Sequence, residues 1–204
     1  MNIEKKLISK NYSKGVTITP KYIVLHETGN TSKGANADAH FKYWDTNDTA
    51  QASAHFVVDD TRVIQLLELN KRAWHIGDNQ GHSDIINSDS VGIEICVNSD
   101  GDYDKAVSNA VELVQWLLKE TGLTINCLKT HHDASGKNCP TIMLKNNKWQ
   151  DFKNSVASPT PIPDVPWYND AQWWVKANGI SDGTRPNDPV TRAEVWQMLY
   201  RLKK

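Results

Sequence analysis

Four side chains have the types and spacing to build a hydrolytic metal site. His26 closes an apolar run in IVLHETGN, Glu94 interrupts the apolar run VGIEICV, and His131 and Cys139 share the segment HHDASGKNCP. Imidazole nitrogen and thiolate sulfur are zinc ligands, and a catalytic zinc keeps three protein ligands and one open position. The interval from His131 to Cys139, with Gly136 inside it, is too long for one helix face and suits a loop folded around an ion. His26 can supply a third ligand from a strand end. Spacing alone leaves another reading open, a hydrogen-bonded surface histidine and a buried cysteine. Glu94 sharpens the choice, because glutamate is almost never fully buried without a partner. It either faces solvent, pairs with a lysine, or serves as a general base beside a metal.

These residues need a scaffold, and the pattern around them is α/β. Tyr22–Leu25 and Val91–Val97 read as buried strands, and Ala54–Val58 with Val63–Leu67 as a hairpin turning at Asp59-Asp60. Asp104–Glu120 is a helix, with Val107, Ala110, Val111, Val114, Leu117 and Leu118 on one stripe and Gly122 just past its end. Asn36–Asp45 is a shorter helix carrying Ala37, Phe41 and Trp44 on one face, and Leu123–Leu128 reads as a short strand. Strands interspersed with helices predict a central mixed β-sheet flanked by helices.

Composition changes near Ser155. The segment 155–163, SVASPTPIP, reads as a stiff proline-rich linker, dividing the chain into residues 1–154 and 164–204. In the second part, Thr191 and Glu194 form a capping box, with Val190 and Val195 placed for a hydrophobic staple. Asn169–Asn178 is a second helix ending at Gly179, so this part is a helical hairpin. About 40 residues is near the lower limit for independent folding, so the hairpin is expected to pack on a neighbour or self-associate.

The whole chain has 204 residues, 39% hydrophobic and 23% charged, with a net charge of −1 and mean hydropathy −0.57. Nucleic-acid binding driven by phosphate contacts is not expected at that charge, nor is membrane insertion. Three cysteines do not make a disulfide scaffold; Cys96 and Cys127 are expected to be inert. Met1–Lys21 has no apolar core, so no secretory signal peptide is expected, and the product should be made in the cytoplasm.

The strings IVLHETGN, SAHFVVDD, AWHIGD, VGIEICVN and HHDASGKNCP, in that order over Lys21–Pro140, resemble the zinc-dependent N-acetylmuramoyl-L-alanine amidases of phage endolysins and bacterial autolysins. Peptidoglycan-recognition proteins share that fold, a mixed sheet flanked by helices with zinc in a groove. The resemblance implies His26, His131 and Cys139 as zinc ligands, with His131 rather than His132 selected by the family's spacing. It implies Glu94 as the acid/base and Lys137 as a cation near the scissile carbonyl. His55, Trp74 and His75 match groove positions and imply substrate contact. The implied activity is hydrolysis of the bond between N-acetylmuramic acid and L-alanine in peptidoglycan. An endolysin acting at the wall after release through the membrane is the leading expectation; an autolysin or a non-catalytic peptidoglycan receptor are alternatives. The tail resembles one surface-layer-homology module through Pro163-Asp164-Val165, Trp173-Trp174, Asn178-Gly179-Ile180, Asp182-Gly183 and 190–194. That likeness implies binding of a secondary cell-wall polymer, with Trp167, Trp173 and Arg192 as candidate contacts.

Overall fold

The computed structural model describes residues 1–77, 81–158, 169–182, 184 and 189–201. It divides into two compact units, Met1–Pro159 and Thr160–Lys204.

The first unit is built on a six-stranded sheet. Its strands are β1 (Ile3–Lys5), β3 (Tyr22–Glu27), β4 (Phe56–Val58), β5 (Val63–Gln65), β7 (Ser90–Ile95) and β8 (Leu128–Thr130). Their order across the sheet is β1-β5-β4-β7-β3-β8. The hairpin expected around Asp59-Asp60 is present as the antiparallel pair of β4 with β5. Strand β3 runs parallel to both β7 and β8, and β7 runs parallel to β4. A small ribbon pairs β2 (Ser13–Thr17) with β6 (Lys71–Arg72).

Alternation along each strand sorts side chains to two faces. Ile23, Leu25, Val91, Ile93 and Ile95 point to one face and form the main core with α2 (Tyr103–Thr121) and α5 (Trp149–Ala157). Helix α2 starts at an Asp102 cap and stops at Gly122, which takes the left-handed conformation with φ 70°. Its buried residues are Ala106, Ala110, Val111, Leu113, Val114 and Leu117, while Val107 and Leu118 pack partly buried at the margin. On the opposite face, α1 (Ala37–Thr46) lies over Val57 and Ile64, and a smaller cluster of Val24, Ile76, Ile85 and Ala134 lies beside it.

Two expected boundaries move. Residues 123–128 are not a strand: Ile125–Cys127 form a 3-10 turn, and β8 begins at Leu128. The linker does not begin at Ser155, because α5 continues to Ala157. Val156 is buried there, and the Gln115 amide donates to the carbonyls of Ser155, Val156 and Ser158. No proline interrupts the helix before residue 159.

The second unit contains α6 (Asn169–Ala177) and α7 (Arg192–Arg201). The capping box at α7 is present: Thr191 N–H donates to the Glu194 carboxylate at 2.8 Å, and Glu194 N–H donates to Thr191 Oγ1 at 3.3 Å. Trp196, Leu199 and Tyr200 of α7 are exposed, as is Arg192. Val190 and Val195, expected to staple the helix start, are exposed too. Trp167 and the side chain of Trp173 lie outside the described residues.

Candidate metal centre

The site lies where the parallel strands β7, β3 and β8 end. Open parallel sheets present ligands at the carboxyl ends of their strands. In register, His26 of β3 stands opposite Glu94 of β7, and Leu25 opposite Thr130 of β8. His131 follows directly, as the first residue of α3 (His131–Ser135). This short helix is set by a full capping box between Thr130 and Asp133 and is stopped by Gly136 at φ 79°. The chain then returns, with His132 N–H donating to the Cys139 carbonyl at 2.9 Å, and brings Cys139 back to the strand end.

His26, His131 and Cys139 are all buried, and one ligand atom from each lies within 4.8 Å of the others. The Nδ1 atoms of the two histidines are 2.9 Å apart. Cys139 Sγ accepts from the Glu27 backbone N–H at 3.4 Å. Burial, with the nearby Glu94 carboxylate, pushes this thiol up to about 12, so ligation requires the thiolate to be stabilised by the metal itself. Two imidazoles and one thiol form a borderline-soft donor set suited to a divalent transition metal.

Glu94 supplies a second sign of a missing partner. Its Oε2 atom is buried and has no hydrogen-bond partner among the described residues. Burial pushes its carboxyl up to about 8, against the opposing pull of Lys137. A cation beside it would reverse that shift. Lys137 is exposed on the loop between α3 and Cys139, close enough to bear electrostatically on Glu94, His26 and Cys139. His132, the other histidine of the pair, is exposed.

The three residues matched to the groove are engaged within the protein. His55 is fully buried, accepting from Gly92 N–H through Nδ1 at 3.0 Å and donating from Nε2 to the Lys71 carbonyl at 2.8 Å. Both ring nitrogens are therefore used, which corrects the expectation of a substrate contact there to a packing and hydrogen-bonding role. His75 is buried and bonded to His26 and Ser90. Trp74 is half-buried, its indole N–H donating to Ser13 Oγ at 2.9 Å.

Sequence reasoning missed Glu27. Its side chain alternates to the face opposite His26, where the carboxylate accepts from Tyr103 Oη and from Ile142 N–H (2.7 Å) and Met143 N–H (3.1 Å). These two amides open α4 (Thr141–Lys145), just beyond Cys139. One residue thus ties the thiol by its backbone and the following helix by its side chain. Strand alternation in IVLHET is the one signal that could have turned it inward. Cys96 is buried, its thiol held far above the ordinary range by burial, and Cys127 is a partly exposed free thiol.

Comparison with known proteins agrees with this geometry. The model of the family described as N-acetylmuramoyl-L-alanine amidase matches residues 16–142. The Bacillus subtilis (strain 168) amidase CwlH is 40% identical over 156 residues, covering 76% of this chain and 60% of that protein. XlyA of the same organism, also named an N-acetylmuramoyl-L-alanine amidase, is 42% identical over 149 residues, covering 73% of this chain and 48% of that one. The chain therefore spans about half to three-fifths of the length of these curated relatives. Among solved structures, the catalytic domain of XlyA superposes with a TM-score of 0.69 at 40% identity, covering 76% of this chain and 99% of that domain. PlyL superposes with a TM-score of 0.67 at 35% identity, covering 76% of this chain and 97% of that one. Five motifs in order, a sheet that gathers them at one end, and a family match across the residues that do so lead to one statement: the chain belongs to the N-acetylmuramoyl-L-alanine amidase family.

Proposed function

We propose that this protein hydrolyses the amide between the lactyl group of N-acetylmuramic acid and the L-alanine of the peptidoglycan stem peptide, as a zinc enzyme of the endolysin type. The observation that carries the reading is the buried, unpartnered Oε2 of Glu94 next to the strand position of His26. His26, His131 and Cys139 would hold the zinc, which supplies Lewis-acid polarisation and a lowered water pKa when bound.

The chain's own groups do the rest. Glu94 Oε2 takes the proton of the attacking water and returns it to the leaving alanine nitrogen, so one carboxylate serves as base and then acid. A cation held beside it would bring the carboxyl down from its raised value, so that it is ionised and able to accept that proton near neutrality. Lys137 places a positive charge where negative charge develops on the carbonyl oxygen. Glu27 and the α3 capping box keep the two loop ligands in place. In the second unit, the exposed face of α7 with Arg192 is proposed to bind a secondary wall polymer or a second copy of the chain.

A digest of purified peptidoglycan tests the reading by comparing new alanine N-termini with new reducing sugar ends. New alanine amines without reducing ends are expected. Reducing ends would make the protein a glycosidase, and neither product from a zinc-loaded chain that binds walls would make it a receptor.

A further inference from the structure

One hydrogen-bond chain runs from His26 away from the cluster it forms with His131 and Cys139. His26 Nε2 lies 3.0 Å from His75 Nδ1, and His75 Nε2 lies 3.2 Å from Ser90 Oγ. Ser90 Oγ in turn lies 2.6 Å from the Ile86 carbonyl oxygen. A carbonyl only accepts, so the Ser90 hydroxyl proton is committed to Ile86. Ser90 Oγ must then accept from His75, which places the proton of that ring on Nε2. A neutral imidazole carries one N–H, so His75 Nδ1 is a bare lone pair and His26 Nε2 must be its donor. The direction of every bond is thus set from the Ile86 end.

Packing makes this arrangement specific. Ser90, Gly92 and Glu94 alternate onto the face of β7 that also carries the site. A Cβ built on Gly92 would sit 2.6 Å from His75 Cγ and under 3 Å from two further ring atoms. Glycine is what lets the ring lie flat on the strand and reach both neighbours. The His26 and His75 rings meet edge-on, with centroids 5.1 Å apart and an interplanar angle of 88°.

We propose that His75 is a positioning residue: the chain Ile86–Ser90–His75 fixes His26 as its Nε2–H tautomer and so presents the Nδ1 lone pair to the metal. This rests on the reading of His26, His131 and Cys139 as metal ligands. It also replaces the expected substrate contact at His75 with a role behind the site. Partners of this kind typically change metal affinity by about 10- to 100-fold when removed.

The test uses the full chain with zinc alone as the probe. Long-range proton–nitrogen NMR on histidine-labelled protein reads the tautomer of His26 in the metal-free chain. Competition with a chromophoric chelator reads zinc affinity. The expected result is His26 protonated at Nε2, with zinc affinity about 10- to 100-fold weaker in His75→Leu. His75→Asn keeps an acceptor near the position of Nδ1 and should recover most of that loss. Ser90→Ala, a smaller change, should mix the tautomers of His75 and keeps the test open if His75→Leu fails to fold. A His26 proton on Nδ1 in the parent chain, or undiminished zinc affinity with an unchanged tautomer in His75→Leu, would overturn the proposal. A parent chain that binds no zinc would instead sink the metal reading, while the metal-free tautomer still reports on the relay.

Discussion

His26 and Glu94 are register partners on adjacent parallel strands, so the proposed metal ligand and the proposed acid/base stand side by side on one face of the sheet. Their separation is set by the backbone ladder, which is among the least adjustable distances in a protein. His131, the first residue of α3, and Cys139, beyond the turn that follows it, are brought to that fixed pair by this five-residue helix and its turn.

Replacing Glu94 by Gln should preserve the fold and the metal while lowering hydrolysis by about 10²- to 10⁴-fold, the usual contribution of a general acid–base. Amine release from peptidoglycan, with zinc content and thermal unfolding measured in parallel, checks this. A variant that lysed walls at the parent rate would remove Glu94 from the mechanism.

Glu27→Leu should cost more than a single surface change, because it strands the buried Met143 amide, at about 1–3 kcal/mol, and with it the part-buried Ile142 amide and Tyr103 hydroxyl, which water can partly satisfy. Tyr103→Phe, which removes one donor and leaves the rest, should cost clearly less. Urea unfolding of both variants gives the comparison; equal losses would mean that the α4 amides contribute nothing.

Gly92→Ala should be destabilised although the change adds only a methyl group. The clash is with a buried ring held at both nitrogens, and overpacking of this kind costs about 1–3 kcal/mol. A melting temperature equal to the parent's would show that His75 can move aside freely.

Acid should destabilise the metal-free chain through His55. Burial lowers its pKa to about 4 in the fold, against about 6.5 when unfolded. The unfolded chain therefore binds the proton first, and stability is full above pH 6.5 and declines as pH falls toward 4. The total loss is on the order of 3 kcal/mol. His55→Gln should show a shallower decline over that window in chemical unfolding at stepped pH; an unchanged slope would show that His55 does not titrate as its burial implies.

The sequence was legible where chemistry and periodicity are local. The stripe on α2 marked four of its buried residues, Ala110, Val111, Val114 and Leu117. It passed over Ala106 and Leu113, because the helix also meets α5 and so buries a broader face than one contact requires. The three ligand positions expected from the motif strings come together in space. Helix α3 went unseen because five residues carry no readable period, and its cap, Thr130 with Asp133, looks like any loop pair. The roles of Glu27 and His75 were illegible for a different reason. Each depends on partners far along the chain, Tyr103 and Met143 for one and Ser90 and Gly92 for the other. The N-terminal strand β1 was missed as well, since three residues with one exposed side chain show little alternation.

The strand order also has a meaning in time. Strand β3 lies between β7 and β8, although those neighbours are made long after it. A ribosome that has released only the first hundred residues has supplied His26 and Glu94 but neither His131 nor Cys139. Pairing across such sequence distances carries a loop-closure cost and belongs to the slow part of folding. The cluster of His26, His131 and Cys139 is therefore complete only when the last of these strands has docked, and the partly made chain cannot assemble it.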